Sequence, residues 1–455
     1  MEFVELSDEQ QRLYDYIEST DSHVFVTGRA GTGKSTLLQY LIENTEKSVA
    51  VCAPTGVAAL NVGGRTIHSL FGFPIGVLGQ TDITKHLSRR TREVLRAIDM
   101  LVIDEVSMVN PDILDAMSTM MSAARGKRKL PFGGAQVVMF GDVYQLPPIP
   151  PRGEEGAYMA ETYQSNWFFH AHVWREASLE RYELIEIFRQ KDGRFKDILN
   201  AVRDGSVTQD MLDELNSHVV REVPDDEILR LKTINESVDT HNRTKLAKLT
   251  GKPHTYHAQI PLGDLSDFRQ APAEQQIVLK PGAQVMFIKN DDSSPIKDEQ
   301  GRSLQRWVNG TIGHVVEIVN DAHLTVEVDG ELFDVGRSKW EKVNYEIEEY
   351  FDEDTATNKS KLVAYPVAEY RQIPLRLAWA VTVHKSQGQT YDEVAIDFGD
   401  RVFAAGQAYV ALSRVRSLEG LYLTRPLRMS DIKVDPFVQA FMSGHHNAAT
   451  PTLMD

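Results

Sequence analysis

The sequence predicts an α/β protein built on parallel sheets, with a small antiparallel insertion in its second half. Four short apolar runs in the first third alternate with helical patterns, and each run is apolar on both faces, as a strand covered by helices must be. These runs are residues 24–26, 49–52, 100–103 and 136–140. Each ends in polar or glycine-containing residues, and ligands bind beyond the carboxyl ends of parallel strands. The pattern therefore predicts four site segments at one edge of one sheet.

A second α/β set is predicted in the last half of the chain. Its strands are residues 228–234, 377–383, 394–396 and 421–423, with a helix at 407–415. Between them, residues 311–319, 324–328 and 332–335 are short and partly alternating, and Asp329-Gly330 is a typical two-residue hairpin turn. This change of period predicts a small antiparallel β insertion. Residues after about Asp431 are predicted to form a frayed tail.

The bulk composition predicts an ordinary globular protein of about two to four domains. The chain has 455 residues, of which 42% are hydrophobic and 25% charged. Because no apolar stretch is long enough to span a bilayer and the N-terminal residues lack a signal-peptide pattern, we expect neither a membrane partner nor secretion. The only cysteine, Cys52, excludes an internal disulfide and fits a reducing compartment.

The formal net charge is −16, which argues against a protein that coats nucleic acid passively. It leaves room for a local basic track. Two basic runs lie within residues 85–96 and 125–129, and a solvated surface explains either run by itself.

Residues 28–35 read Gly-Arg-Ala-Gly-Thr-Gly-Lys-Ser and match the GxxxxGK[ST] pattern of a phosphate loop. Backbone N–H groups of such a loop surround the β-phosphate of a nucleotide, and the following helix presents its positive N-terminal end. Lys34 is predicted to reach the β- and γ-phosphates and the Ser35 hydroxyl to ligate Mg²⁺. The candidate nucleotide-binding residues of this loop are Gly28, Gly31, Thr32, Gly33, Lys34, Ser35 and Thr36.

Polar groups at the ends of the other strands suit phosphoryl transfer. Asp104 is predicted to ligate Mg²⁺ and Glu105 to orient and deprotonate the attacking water, although two surface carboxylates after a strand are also common. Gln145 follows the next strand and is a candidate sensor of the γ-phosphate, with a bare turn as the alternative. Gln10, in the first helix, is a candidate for reading an adenine edge or a plain surface glutamine.

Taken together, these motifs resemble the petite-integration-frequency (Pif) DNA helicases of superfamily 1 and, more distantly, the RecD and Dda helicases. The resemblance runs from Leu6 to about Leu423 with the motifs in the family order. It includes residues 53–61, 66–71, 132–134, 186–190, 281–286, 308–310, 380–388 and 409–414. Residues 108–131 follow the family pattern only loosely.

The resemblance implies two tandem RecA-like domains that sandwich ATP. It places the first at residues 1–178, with a small wedge insertion at about 71–92, and the second at 179–290 and 366–430. A small antiparallel β-barrel insertion is expected at 291–365 and a C-terminal tail at 431–455.

The resemblance also implies roles for individual residues. Arg189 and Arg414 are expected to be arginine fingers that stabilise charge on the transferred phosphoryl group, and Gly388 to lie at the nucleotide. Stacking rings and phosphate-binding polar groups are expected to hold the DNA strand. The candidate DNA-binding residues are Thr55, Gly56, Asn61, His68, Phe71, Asn309, Gly310, Thr382, His384 and Ser386.

The function implied is an ATP- and Mg²⁺-dependent helicase that moves 5′-to-3′ along single-stranded DNA and unwinds duplex. The expected partners are single strands and single-strand/duplex junctions, with G-quadruplex DNA and RNA-DNA hybrids as further substrates, and a monomer is expected. Roles in DNA repair, replication and telomere maintenance would place it in the cytoplasm of a bacterium or phage-infected cell, or in a nucleus or mitochondrion. An RNA helicase, a nucleotide-switched binding protein and a bare translocase are the alternatives.

Overall fold

The computed structural model describes residues 6–74, 76–78, 83–186, 188, 192–268, 271–291, 296–297, 303–304, 306–352 and 357–444. The chain forms two compact units. The first unit comprises Val4–Ile187, Glu341–Val367 and Pro436–Asp455, and the second comprises Phe188–Trp340 and Ala368–Asp435 together with Met1–Phe3. Three separate stretches of sequence therefore build the first unit.

A six-stranded parallel sheet forms the centre of the first unit, with strand order β3-β2-β4-β5-β1-β6. Its helices and strands are α1 Asp8–Ser19, β1 Val24–Gly28, α2 Lys34–Asn44, β2 Val49–Ala53, α3 Gly56–Asn61, β3 Arg65–Thr66, α4 Ile67–Phe71, α5 Arg89–Ala97, β4 Met100–Ile103, α6 Pro111–Arg125, β5 Gln136–Phe140, α7 Gly153–Thr162, α8 His172–Glu176 and β6 Glu180–Leu184. Short 3₁₀ turns lie at Ile83–His86, Val106–Met108, Pro131–Gly134 and Phe168–His170.

The four strands predicted in the first third are confirmed as β1, β2, β4 and β5. Each has an apolar residue on both faces because helices cover the sheet from both sides: Val24 packs in one hydrophobic cluster and Phe25 in the other. Since all neighbours are parallel, the carboxyl ends of these strands lie along one edge.

The second unit contains a four-stranded parallel sheet and several antiparallel ones. The helices and strands that follow β6 are α9 Gly193–Asp204, α10 Gln209–Asn216, β7 Arg230–Lys232, α11 Asn235–Lys248, β8 His254–His257, β9 Gln259–Leu262, β10 Gln276–Leu279, β11 Gln284–Phe287, β12 Ile296–Lys297, β13 Ser303–Leu304, β14 Ile312–Ile318, β15 Leu324–Val328, β16 Glu331–Val335, β17 Ser338–Asp352, β18 Thr357–Gln372, β19 Leu375–Leu377, β20 Ala380–Thr382, β21 Val394–Asp397, α12 Gln407–Leu412 and β22 Leu421–Leu423. Two further 3₁₀ turns lie at Leu265–Phe268 and Met429–Asp431. A last helix, α13 Pro436–Met442, belongs to the first unit.

The parallel sheet of the second unit has the order β20-β7-β21-β22 and confirms the predicted second α/β set. One predicted strand is wrong in its extent. Residues 377–383 form two strands, since β19 ends at Leu377 in an antiparallel sheet and β20 begins at Ala380 in the parallel sheet. The chain changes sheets at two buried residues, Ala378 and Trp379, so the apolar run is continuous although the strand is not.

The predicted antiparallel insertion is present as a sheet with the order β16-β15-β14-β11-β19. Asp329 and Gly330 connect β15 and β16 with φ angles of 51° and 83°, which is the type I′ geometry expected of this dipeptide. Two of the strands, β11 and β19, lie outside residues 291–365. The domain boundaries inferred from the resemblance stay a prediction.

The outer parts of β17 and β18 belong to the first unit, where they pack at the edge of its parallel sheet. Tyr345 is 4% exposed, and its hydroxyl accepts a hydrogen bond of 3.1 Å from the Val51 N–H. The neighbouring strand β3 pairs only with Cys52 and Ala53 of β2. The Tyr345 hydroxyl therefore accepts a hydrogen bond from an N–H group of β2 that lies beyond the end of β3. Arg65 donates to Asn344 Oδ1 at 2.6 Å beside it.

Helix α13 also packs on the first unit. Phe441 is 8% exposed and stacks on Phe169 with 4.2 Å between ring centroids, and Arg181 donates to the Phe441 carbonyl at 2.9 Å. The prediction of a frayed tail is therefore wrong for residues 431–444, while residues 445–455 lie outside the described residues. The i, i+3 spacing of the buried Val438 and Phe441 is the signal in the sequence that indicates this helix.

Within the described ranges, no helix is both long enough and apolar enough to cross a lipid bilayer.

Candidate nucleotide and DNA sites

The phosphate loop connects β1 to α2, as the sequence predicts. Gly33 precedes the helix in the left-handed region, with φ 75°, and supplies no side-chain cap to the first turn of α2. Gly28 is required for a different reason, because a Cβ there would lie 2.7 Å from Thr32 Oγ1 and 2.8 Å from the Leu184 carbonyl oxygen. Gly33 therefore gives the first turn of α2 no side-chain hydrogen bond, and helix N-termini of this kind are sites at which anions bind.

Lys34 is the first residue of α2, and its ammonium turns back into the loop. Its Nζ donates to the carbonyl oxygens of Gly28 at 2.7 Å and Arg29 at 3.0 Å. Ser35 follows in the same turn with an exposed side chain, and Thr36 is half-buried. The Lys34 ammonium is therefore positioned by contacts within the phosphate loop itself.

The Gln10 amide is hydrogen-bonded within the protein, and its role in reading an adenine edge stays a prediction that requires an exchange of its hydrogen-bond partners. The side chain is 3% exposed, and its Nε2 donates to the carbonyls of Thr32 at 3.3 Å and Gly33 at 3.2 Å. Its Oε1 accepts from the Ser7 N–H in a capping box at the start of α1. Gln10 thus fastens the phosphate loop to the first helix.

Asp104 and Glu105 follow β4 at the same edge of the sheet. Burial raises the pKa of Asp104 to about 6, opposed by the hydrogen bond from the Glu105 N–H and by the charge of Lys34. The influence of Lys34 places the lysine and the aspartate within electrostatic range of each other. Glu105 itself adopts the left-handed conformation, with φ 49° and ψ 42°, which is uncommon for a residue with a side chain.

Gln145 lies in the turn after β5. Its Nε2 donates to Asp142 Oδ2 at 3.1 Å, and Asp142 is 2% exposed. The Gly141 N–H donates to the Val26 carbonyl at 3.1 Å, and a Cβ on Gly141 would lie 3.0 Å from Val106 Cγ1. The fold therefore brings the Gln145 turn, the end of β1 and the residues after Glu105 together. Asp142, which orients Gln145, is a site residue that the sequence pattern did not predict.

The residues at this edge fit a magnesium nucleotide. A hydroxyl from Ser35 and a carboxylate from Asp104 are hard oxygen ligands, and Mg²⁺ takes most of its other ligands from phosphates and water. Among the described residues there is no group of three or more His, Cys, Asp or Glu side chains that could hold a metal ion.

The first candidate DNA segment follows β2. The Thr55 hydroxyl accepts from the Ala58 N–H at 3.2 Å and caps α3, which starts at Gly56 and ends at the exposed Asn61. These residues lie at the same sheet edge as Asp104, because the Asp104 N–H donates to the Cys52 carbonyl of β2 at 2.9 Å.

Two aromatic candidates lie further along this segment. Phe71 offers no stacking face to a base: it is fully buried and stacks on Phe73 with 5.2 Å between ring centroids. This corrects the prediction, and the reason is that Phe71 completes the hydrophobic core under α4. His68 is half-buried, and burial lowers its pKa, so its imidazole is neutral at pH 7.

The second candidate DNA segment is the turn 384–389, which follows β20. His384 and Gly388 are exposed. Ser386 is fully buried and its hydroxyl donates to the Val383 carbonyl at 2.8 Å, so the side chain holds the turn rather than facing DNA, which corrects its assignment. The Thr382 hydroxyl is also buried and accepts from the Lys385 N–H at 3.3 Å.

The Asn309-Gly310 turn lies against the 384–389 turn. A Cβ on Gly310 would lie 1.9 Å from Gln389 Oε1 and would displace that side chain, and the φ of 95° there favours glycine. The Asn309 N–H donates to Asn290 Oδ1 at 2.7 Å. The structure thus brings together two predicted DNA segments that are about 75 residues apart in sequence.

Arg414 is 1% exposed, and its guanidinium braces the 384–389 turn. It donates to the carbonyls of Ser386 at 3.1 Å and Gln389 at 3.0 Å, and its Nε donates to the Val410 carbonyl. Arg189 lies outside the described residues. The arginine-finger role of both residues stays a prediction, and for Arg414 it requires an exchange of these carbonyl partners.

Comparisons with known proteins identify the family. Residues 5–212 match the model of the PIF1-like helicase family. A Bdellovibrio bacteriovorus protein named ATP-dependent DNA helicase Pif1 is 35% identical over 448 residues, covering 96% of this chain and 92% of the relative. The chain belongs to the PIF1-like helicase family. It spans 64% of the longer Xenopus laevis relative of the same name, which is also 35% identical and matches 96% of this chain.

Solved structures of the family cover nearly the whole chain. A Bacteroides sp. Pif1 in complex with ADP-AlF4 matches with a TM-score of 0.85 and 35% identity, over 97% of each chain. A Bacteroides Pif1 in complex with ADP-AlF3 and single-stranded DNA matches with a TM-score of 0.66 and 33% identity, again over 97% of each chain.

Proposed function

We propose that this PIF1-like protein is an ATP-dependent DNA helicase that moves along single-stranded DNA and unwinds the duplex ahead of it. The observation that carries the proposal is the convergence of four segments on one sheet edge: the phosphate loop, Asp104-Glu105, the Gln145 turn and the Thr55 segment. Nucleotide chemistry and strand binding would thus share one rigid support. The similar proteins, with their DNA helicase names and DNA complex, favour DNA as the substrate.

In the proposed reaction, Lys34 and the N–H groups of the α2 turn bind the β- and γ-phosphates of ATP. Ser35 and Asp104 would hold Mg²⁺, which supplies positive charge across those phosphates. Glu105 orients the attacking water and accepts its proton as the bond between the γ-phosphorus and ADP breaks. Gln145, fixed by Asp142, senses the γ-phosphate, and Arg189 and Arg414 neutralise the developing charge.

The DNA strand is proposed to run past both candidate segments. Thr55, Gly56 and Asn61 of the first unit bind one stretch of backbone, with His68 as a neutral hydrogen-bonding group. His384 and the Asn309-Gly310 turn bind another stretch in the second unit, and the buried Thr382 holds the turn that carries His384. If the affinities of the two segments for the strand rise and fall alternately during hydrolysis, each cycle moves the strand in one direction.

The test is ATP hydrolysis with and without a single-stranded DNA oligonucleotide, for the wild type and Lys34→Ala. We expect strong stimulation of the wild type, and at least a roughly 100-fold lower rate for the variant with DNA affinity retained. A folded, ATP-saturated wild type that is indifferent to DNA would contradict the proposal. Matched RNA oligonucleotides test the RNA-helicase alternative, and rapid hydrolysis without unwinding would indicate a bare translocase.

The direction of travel is proposed to be 5′-to-3′, with a monomer as the active species and G-quadruplex DNA as a further substrate. Forked duplexes with a single tail test the direction. Unwinding of substrates with a 5′ tail is expected, and unwinding only from a 3′ tail would overturn this part. A rate per mole of enzyme that is constant with enzyme concentration is expected of a monomer.

A further inference from the structure

The two basic runs of the sequence meet on the surface of the first unit. Helix α5 packs on α6, and Arg96 Nε donates to the Ala124 carbonyl of α6 at 2.6 Å. Arg125 in turn donates to the carbonyls of Arg96 at 2.9 Å and Ile98 at 2.5 Å. These bonds fix the end of α5 beside the end of α6, so residues 89–96 and 125–129 form one surface.

Three of the four cations of α5 share one face of that helix, and the fourth, Arg90, pairs with Glu346 at 3.2 Å. Arg89, Arg92 and Arg96 follow the i, i+3, i+7 spacing, opposite the buried Val94 and Leu95. The Arg89 side chain is 93% exposed, and its Glu93 partner is itself half exposed, so this ion pair contributes little and is readily exchanged.

The loop at residues 126–130, which follows α6, continues this basic face and is held in a fixed conformation. We call this loop the foot of the stripe. Lys127, Arg128 and Lys129 are all exposed, after a left-handed Gly126 that ends α6. Ser122 Oγ donates to the Leu130 carbonyl at 2.9 Å, and Ser118 Oγ accepts from the Phe132 N–H at 3.0 Å. Because buried serines hold the loop from beneath, its three cations are presented at low conformational cost.

We propose that this basic stripe, formed by Arg89, Arg92, Arg96, Lys127, Arg128 and Lys129, binds the phosphodiester backbone of duplex DNA. The stripe concentrates six cations on a protein whose net charge is −16, so an anionic polymer is the occupant that its charge favours. The distance from Arg89 to Arg96 along the helix is roughly 10 Å, which matches about three base pairs of rise.

The composition of the stripe favours duplex over single-stranded DNA. Residues 83–97 and 125–131 contain no Phe, Tyr or Trp, whereas proteins grip single strands with aromatic stacking platforms. The stripe also lies apart from the nucleotide site. Helices α5 and α6 end where β4 and β5 begin, so the foot of the stripe is at the edge of the sheet opposite Asp104.

The stripe would hold the duplex while one of its strands is drawn away, and this purpose rests on the proposed helicase function. Its test is therefore equilibrium binding of a blunt duplex without ATP, which separates its failure from a failure of the motor. The variant is Lys127→Gln/Arg128→Gln/Lys129→Gln. A matched control, Arg243→Gln/Lys248→Gln/Lys252→Gln, removes three exposed cations from the second unit and changes the net charge equally.

We expect the stripe variant to bind the duplex at least roughly tenfold more weakly at about 0.1 M salt, and the control to bind as the wild type. The slope of log K against log salt should fall by roughly 0.9 for each DNA phosphate that the variant no longer neutralises, or up to about 2.7 for three. ATP hydrolysis stimulated by oligo-dT should be unchanged in the stripe variant. Equal losses in variant and control, equal losses of duplex and single-strand affinity, or an unchanged salt slope would each overturn the proposal.

Discussion

Glu105 combines a proposed catalytic role with a backbone conformation that most residues avoid. The left-handed φ and ψ of 49° and 42° carry a cost of about 1–3 kcal/mol for a residue with a Cβ. The Glu105 N–H donates to Asp104 Oδ1 at 2.9 Å, so the same turn that strains the glutamate also orients the aspartate. One turn therefore accounts for both the backbone conformation of Glu105 and the hydrogen bond that orients Asp104.

Replacing Glu105 with glycine or with alanine separates the contribution of its carboxylate to ATP hydrolysis from the cost of its left-handed backbone to stability. Both variants should lose ATP hydrolysis, because both remove the carboxylate. Glu105→Gly should nevertheless be more stable than Glu105→Ala by about 0.5–1 kcal/mol, since relief of the left-handed strain exceeds the extra backbone entropy of glycine. Urea unfolding of the pair measures this difference. An alanine variant that is as stable as the glycine variant would show that the site is not left-handed in solution.

His241 makes stability depend on pH. Burial and the nearby cations Arg230, Lys232 and Lys245 lower its pKa to about 4, below an unfolded value of about 6.5. The unfolded chain therefore binds more protons between these values, and stability falls as the pH drops from 6.5 toward 4. His241→Gln should flatten this dependence in denaturant titrations between about pH 7 and pH 5.

His257 is exposed, and the control for that experiment is His257→Gln. The control should keep the wild-type dependence of stability on pH. A His241→Gln variant with the same slope as the wild type would remove His241 as the cause.

At the scale of elements, the outer parts of β17 and β18 show how a distant segment completes a sheet edge. Tyr345 binds Val51, which is 294 residues earlier in the chain. Burial raises the pKa of the Tyr345 hydroxyl, so it stays a neutral hydrogen-bonding group at physiological pH. Arg90 lies over the Tyr365 ring, 5.7 Å from its centroid, on the neighbouring strand.

Tyr345→Phe should lower the stability of the first unit by about 1–3 kcal/mol. The substitution keeps the buried ring but leaves the Val51 N–H without its acceptor in a dry environment. Tyr365→Phe is the matched control, because its ring contact with Arg90 does not use the hydroxyl. Thermal unfolding of both variants measures the effect, and equal Tm values for the two would contradict the role given to the Tyr345 hydroxyl.

Elements with a strong local signal were predictable from the sequence. The four buried strands and the phosphate loop depend on residues within a few positions of each other, and the Asp329-Gly330 turn depends on only two. The division of residues 377–383 between two sheets was not predictable, because an apolar run reads the same whether one sheet or two cover it. The short β3 and the long β17 and β18 were not predicted either, since the lengths of these strands depend on partners that are distant in sequence.

In the candidate site, too, local signals were predictable from the sequence and contacts with distant residues were not. Motif spacing identified Lys34, Asp104 and Gln145 as candidates, and the fold brings their segments to one edge. The DNA contacts predicted for the side chains of Phe71 and Ser386 are wrong, because both side chains are fully buried. The nucleotide role of Gln10 stays a prediction, because its amide is hydrogen-bonded within the protein. Nothing in the sequence near Gln10 reveals that the Thr32 and Gly33 carbonyls will accept its hydrogen bonds. The DNA and arginine-finger roles stay predictions.

At the scale of the whole molecule, the first unit depends on a helix that follows the second unit in sequence. Phe441→Ala should destabilise the first unit by about 3 kcal/mol, because it removes a ring stacked on Phe169 and close to Phe25. Tryptophan fluorescence reports the transition, since the Trp174 ring centroid lies 5.5 Å from that of Phe441.

The control is Phe403→Ala, which removes a ring that is 53% exposed and should change the midpoint little. Comparable losses of stability for Phe403→Ala and Phe441→Ala would show that α13 is not part of the first hydrophobic core.

The return of α13 to the first unit has a consequence for biosynthesis. A ribosome that adds about 5–20 residues per second makes Phe169 roughly 14–54 s before it makes Phe441. During that interval the nascent ATPase core lacks the phenylalanine that closes it, and Phe169 faces water or a chaperone. The parallel sheet of the first unit is thus made before the second unit, and its hydrophobic core is completed only after the second unit.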